Sequence, residues 1–125
     1  MIEHGAINVH WEDNFLIVHA QGAFNREGLI QAEQEIRQFL TSTPPTATTW
    51  YRIDLLSPST LPTPESIPDV HEMYGHSFQL GCIAAAVVTP FEKIIDFALR
   101  SHAGESHNVN VFSDIDSAKR WLLNQ

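Results

Sequence analysis

The stretch from Cys82 to Thr89, Cys-Ile-Ala-Ala-Ala-Val-Val-Thr, constrains the fold more than any other part of the chain. It is apolar on both alternating sets of positions, so a strand built from it has to be covered on both faces and belongs centrally in a sheet. It runs directly into Thr89-Pro90-Phe91-Glu92, which combines a hydroxyl cap, a proline suited to the first helical position and a capping-box acid. A covered strand delivered straight into a helix is half of a strand-helix-strand unit, and such units build parallel sheets with helices packed on the faces. The spacing predicts a helix from Pro90 with Phe91, Ile94, Ile95 and Ala98 turned inward, Arg100 and His102 near its negative end and Gly104 closing it.

The rest of the chain supplies matching elements. Ile7, Val9 and Trp11 alternate with Asn8, His10 and Glu12, which is the period of a strand with one wet face. Glu12, Asp13 and Asn14 form turns readily, so the apolar run Phe15 to Ala20 should return as the second arm of a hairpin. Asn25 can cap a helix carrying Leu29, Ala32, Ile36 and Phe39 on one side, with Glu33 and Arg37 as an i, i+4 pair outside. Trp50 to Leu56 reads as a buried strand after the stiff connection 41–49.

The segment Ser57 to Pro68 contains four prolines and reads as a functional loop. Ser66 with Asp69 resembles a capping box before a helix whose inner face is Ile67, Val70, Tyr74 and Phe78, and which Gly81 can end. Val109 to Phe112 is a short strand. Ser113 with Asp116 repeats the capping pattern before a last helix with Ile115, Ala118 and Leu122 as its stripe and Trp121 helping to dock it. The expected fold is therefore α/β: one domain over residues 1–125, with a mixed five-stranded sheet (an opening β-hairpin, then mostly parallel) packed with about four helices. No strand is followed by a glycine-rich phosphate loop, so the usual nucleotide-binding signature is missing.

Charge and cysteine usage narrow the partners. Seven Lys and Arg against fifteen Asp and Glu leave a net charge of -8, which repels phosphate backbones and anionic headgroups, so neither nucleic acid nor membrane insertion is expected. The N-terminal residues show no signal-peptide pattern, and the single Cys82 cannot close an internal disulfide; a cytoplasmic setting follows as the expectation.

The closing stretch Val109-Asn-Val-Phe-Ser-Asp-Ile-Asp-Ser-Ala-Lys-Arg-Trp-Leu122 resembles the end of the STAS-like domains, in particular the SpoIIAA-like, STAS/SEC14-type branch. There a strand ending in Phe leads through an acidic cap into a helix with an Ala and then a Trp-Leu pair. The opening hairpin and the strand ending in Asp54-Leu55-Leu56 extend the resemblance over nearly the whole chain. The resemblance implies a STAS-like sandwich and a bacterial-type regulatory or ligand-binding module, not an enzyme. Antagonists of anti-sigma factors in that family carry an Asp-Ser-Ser-Gly motif where a serine is phosphorylated. The corresponding region here, Ser57-Pro-Ser-Thr-Leu-Pro-Thr-Pro-Glu65, has the hydroxyls without the motif.

Candidate contact residues follow from this reading. Ser57, Ser59, Thr60 and Thr63 stand in the proline-rich loop, where added negative charge near a helix N-terminus would have leverage, and His71, Tyr74 and Phe78 stand on the helix after it. Loop and helix together form the expected surface for a protein partner. The aromatics Trp50, Tyr51, Tyr74, Phe78 and Trp121 are the candidate lining of a pocket beneath the loop for a small apolar or amphipathic ligand, or part of a homodimer contact. No cofactor is expected.

The remaining constellations read as structural. Although the chain has seven histidines, His71 and His76 are five apart, turned by about 140° on a helix, and so cannot share one ion as an i, i+4 pair does. His102 and His107, flanking Glu105, read as solvated loop residues. His10 and His19 can approach across the hairpin, and alternation places His10 on the polar face with Asn8 and Glu12. Asp114 and Asp116 suit a helix start, and Cys82 lacks the neighbouring positive charge of a reactive thiolate.

Overall fold

A computed structural model describes residues 5–61, 63–100 and 108–125. The elements follow in the order β1 (Ala6–Glu12), β2 (Phe15–Gln21), α1 (Arg26–Ser42), β3 (Trp50–Leu56), a 3-10 turn (Pro64–Ser66), α2 (Ile67–Gln79), β4 (Cys82–Val88), α3 (Glu92–Arg100), β5 (Val109–Phe112) and α4 (Ile115–Leu123). The strands lie in the sheet in their chain order, with β1 antiparallel to β2 and every later pairing parallel. This is the mixed sheet and helix complement expected from the sequence. The strand Cys82–Val88 is interior, as its two-sided apolar pattern requires, although β3 is the middle strand.

Alternation along the strands sorts the core into two layers. Leu16 and Val18 of β2, Trp50 of β3 and Ala85 and Val87 of β4 face α1, α2 and α3, where Leu29, Ile36, Met73, Tyr74 and Ile95 meet them. Phe15, Ile17, Ile53, Ala84 and Ala86 face the other way, against Ala118 and Leu122 of α4. Small residues on β4 let the helices approach from both sides. Cys82 and Ala84 nevertheless fall in opposite layers, because the pairing of β3 with β4 steps from Trp50↔Cys82 to Tyr51↔Ala84 and leaves Ile83 without a partner.

The start of that strand depends on a glycine. Gly81 has φ of +108°, and a Cβ there would lie 2.9 Å from the Thr48 carbonyl oxygen and 3.2 Å from the Trp50 indole nitrogen. The same indole donates to the Leu80 carbonyl at 3.1 Å, so the end of α2 is tied to the root of β3 through a space only glycine fits.

Several caps and faces differ from the sequence expectation. Asn25 caps α1 as expected, accepting the Gly28 N–H at 2.8 Å, and Glu33 pairs with Arg37 at 2.9 Å. Ser66 makes no capping bond; its backbone is already helical after the 3-10 turn and its hydroxyl donates to the Thr63 carbonyl at 2.7 Å. At α4 the cap is Asp114, which accepts from the Ser117 N–H at 2.8 Å, so the acid displaces Ser113 from that role. The Thr89 hydroxyl accepts from Phe91 N–H at 3.1 Å, which spends Pro90 and Phe91 on a turn, and α3 starts at Glu92.

The inward residues are consequently Phe91 of that turn and Ile95 and Leu99 of α3, while Ile94 is 59% and Phe97 75% exposed. His102, Gly104, Glu105 and His107 lie outside the described residues. His10 and His19 do meet across the hairpin, with stacked rings 5.6 Å apart on the face that α4 leaves open.

Candidate functional site

The parity that sends Trp50 toward the helices sends Arg52 and Asp54 the same way, so an otherwise apolar strand puts two opposite charges under α2. Both are buried, Arg52 with 1% and Asp54 with 4% of its surface exposed. Arg52 Nε donates to Asp54 Oδ1 at 2.9 Å, and one terminal nitrogen donates to Ser77 Oγ at 2.9 Å. The other contacts Met73 Sδ at 3.4 Å, and the guanidinium carbon sits 5.0 Å from the centre of the Tyr74 ring. The Tyr74 hydroxyl closes the set by donating to Asp54 Oδ2 at 2.5 Å.

A buried charge survives only where its partners replace water, and here strand and helix supply them in about equal number. Burial by itself would pull the guanidinium pKa down, but the Asp54 charge and hydrogen bond more than reverse this and hold Arg52 in its charged form. Burial and then the Asp54 charge push the Tyr74 phenol well above its ordinary value, which keeps its proton in place as a donor. Cys82, in the same layer, has its thiol pushed up to about 12 by burial, and its Sγ rests 3.3 Å from the Ala84 carbonyl. Such a thiol is a packing group, not a nucleophile.

Above this charged floor lies a cavity of about 90 Å³. Ile7, Val18 and Ala20 of the hairpin, Leu29 and Ile36 of α1, Met73 of α2, and Ile95 and Leu99 of α3 form its apolar walls, with Arg52, Asp54, Tyr74 and Thr60 as its polar members. Its lining includes Ala20 and Leu56, near the C-terminal ends of β2 and β3, and Thr60 at the start of the proline-rich loop. In open parallel sheets this end, where loops leave the strands, is the usual place for a ligand.

Of the residues singled out from the sequence, Thr60 and Tyr74 line this cavity. Ser57, Ser59 and Thr60 form a hydroxyl knot at its rim, with the Ser57 Oγ 2.9 Å from both the Ser59 and the Thr60 hydroxyls. Thr60 also donates to the Ala20 carbonyl at 3.2 Å, and Ser59 accepts the Gly22 N–H at 3.1 Å, which ties the loop to the end of β2. The Thr63 hydroxyl is buried without a hydrogen-bond partner among the described residues. The His71 ring meets the Leu99 carbonyl at 3.0 Å, joining α2 to α3. Phe78 packs against the edge of the core.

The expected aromatic lining is corrected by the strand parity. Trp50 is fully buried beside the root of β3, and Tyr51 and Trp121 belong to the opposite layer under α4, so among the five aromatics only Tyr74 reaches the cavity. The walls are aliphatic instead, with Phe24 as their one further aromatic. Arg52 and Asp54 were not singled out by sequence pattern, although their signal is plain in retrospect: opposite charges at i and i+2 of an apolar strand share one face and can neutralise each other.

A second group of charges joins α1 to α2 at the surface. His76 Nδ1 lies 3.0 Å from Glu33 Oε1, and Arg26 pairs with Asp69 at 3.2 Å. His71 and His76 thus point to different partners, as their five-residue spacing requires.

The topology, a hairpin leading into a parallel sheet with three helices on one face and one on the other, is the SpoIIAA-like fold. The crystal structure of an uncharacterised protein of the DUF3478 family with a SpoIIAA-like fold, from Shewanella loihica PV-4, superposes with a TM-score of 0.59 over 98% of this chain and 96% of that one, at 16% sequence identity. The fold expected from the STAS-like resemblance is therefore the fold observed. No protein-family model matches the chain. No curated protein matches it either.

Proposed function

We propose that this chain is a non-catalytic STAS-like binding module whose cavity holds a small apolar or amphipathic molecule. The observation that carries the reading is the cavity itself: an aliphatic chamber whose lining includes a buried, hydrogen-bonded ion pair. Core packing alone has no use for such a charge pair, because hydrophobic residues of the same volume usually stabilise a fold as well or better. The buried, protonated Cys82 and Tyr74 supply structure and not chemistry.

The test is native mass spectrometry of freshly purified protein against its denatured mass. A non-protein mass retained in the native spectrum and lost on denaturation supports the carrier reading. Protein that is uniformly apo, and whose melting temperature no small lipophile raises, overturns it. The same spectrum reports subunit number, and so tests a homodimer.

A regulatory, protein-binding role is a second reading, favoured by the hydroxyl knot. Thr60 lines the cavity while bonded to Ser57, and Ser57 is bonded to Ser59 at the surface, so the loop 57–66 links the chamber to the outside through two hydrogen bonds. A partner gripping this loop and helix α2, including Ser57, Ser59, Thr63, His71 and Phe78, would sense whether the cavity is filled. Replacing Ser59 with Glu should then change partner affinity while leaving the fold intact.

A further inference from the structure

Size limits what the cavity can hold by itself. An apolar cavity of about 150 Å³ takes a benzene ring, whereas this one measures about 90 Å³. An amphiphile therefore needs room beyond it, and that room lies across one wall. Between α1 and α2 the surface carries a groove of about 390 Å³, rimmed by Arg26, Glu33 and Arg37 of α1 and by Asp69, Glu72 and His76 of α2. Leu29 and Met73 line both the groove and the cavity, and they are only 9% and 7% exposed, so these two side chains form the partition between the two spaces.

The helices are pinned on either side of that partition. Arg26 pairs with Asp69 at 3.2 Å, and Glu33 meets His76 at 3.0 Å. Along α1, Leu29 falls between Arg26 and Glu33, and along α2, Met73 falls between Asp69 and His76. A passage here opens by rotation of a side chain, without separation of the helices. Leu29 is short and branched. Met73 is unbranched, with three rotatable bonds, and its sulfur, a weak acceptor, is met by a terminal nitrogen of Arg52 at 3.4 Å. Of the two, Met73 is the side chain that can swing aside at small cost.

We propose that cavity and groove are the two halves of one binding site, with Met73 as the gate between them. The short apolar tail of an amphiphile passes Met73 into the cavity, while its polar end stays in the groove, where side chains of both signs offer donors and acceptors. This inference rests on the carrier reading above and gives each end of the amphiphile its own surroundings.

Two probes test it on the full chain. With 1-pentanol, intermolecular nuclear Overhauser contacts are expected from the methyl end to Val18 and Ile95 in the cavity, and from the hydroxymethyl end to Glu33 and His76 in the groove. Hydroxymethyl contacts to Ala20 and Thr60 instead would overturn the gate and leave the carrier reading standing. Xenon, which apolar cavities bind, reads the passage by itself. Met73→Leu conserves volume and stiffens the side chain, so it should slow xenon exchange severalfold, as measured by saturation transfer, with affinity kept within about twofold. An unchanged rate in Met73→Leu would overturn the gate, and a faster one in Thr60→Val would make the loop end the entrance. If neither probe reaches Val18 or Ile95, the carrier reading falls and the inference with it.

Discussion

Tyr74 on α2 and Asp54 on β3, twenty residues apart in sequence, are joined by a 2.5 Å hydrogen bond from phenol to carboxylate, which with the Arg52–Ser77 bond ties helix to sheet in the buried layer. Tyr74→Phe keeps the ring over Arg52 but leaves Asp54 Oδ2 without its donor. The expected cost is about 1–3 kcal/mol in urea unfolding, with an unchanged far-ultraviolet circular dichroism spectrum. A loss below ~0.5 kcal/mol would show that water or another group replaces the phenol.

The upward shifts of Tyr74 and Cys82 have one sign. In the unfolded chain the thiol ionises near 9.0 and the phenol near 10.0, whereas the folded protein holds both protons to higher pH. Stability is therefore fully present below pH 9 and falls as pH rises through the interval up to about 12, where the folded thiol ionises. Each group contributes at most about 1.4 kcal/mol per pH unit once its unfolded form is ionised. Cys82→Ala should make the decline shallower between pH 9 and 10, as read from denaturant midpoints, before the phenol takes part.

The cap of α4 offers a direct comparison. Asp114→Ala removes the acceptor of the Ser117 N–H, and its loss should cost about 0.5–2 kcal/mol, while Ser113→Ala should change stability by less than ~0.5 kcal/mol. The reverse order in chemical denaturation would restore Ser113 as the cap.

At the rim, Thr60→Val preserves shape and removes the donor to the Ala20 carbonyl. That oxygen also accepts the Ser57 N–H at 2.9 Å, so it is not orphaned and the expected cost is only about 0.5–1.5 kcal/mol. Hydrogen exchange of the Ser57 amide should nevertheless quicken, because the loop loses one of its tethers at the end of β2. Unchanged exchange would mean that the Ser57 and Ser59 bonds hold the loop without Thr60.

Elements whose signals are local were legible in the sequence. Trp50–Leu56 and Val109–Phe112 are strands at the expected residues, and Asn25 caps the helix it precedes. The inner face of α3 was harder to read, because apolar residues at 94, 95, 97, 98 and 99 satisfy more than one face at helical spacing, and only docking against β5 and α2 selects Ile95 and Leu99 over Ile94. The cavity left no sequence trace. It is a gap among side chains from the hairpin, three helices, β3 and β4, and no periodicity along any one of them encodes a space between them all. The aromatic residues were poor guides for the same reason: Tyr51 is as apolar as Trp50, yet one step along the strand puts it on the other side of the sheet.

Arg52 and Asp54 are two residues apart on one strand, so their pairing needs only an extended backbone and none of the long-range contacts that bring Tyr74 and Ser77 to them. The ion pair is thus a local contact, set by the geometry of one strand. Docked over them, α2 covers two charges that neutralise each other and not a lone one. Moving either residue to another strand would make that neutralisation depend on a long-range contact.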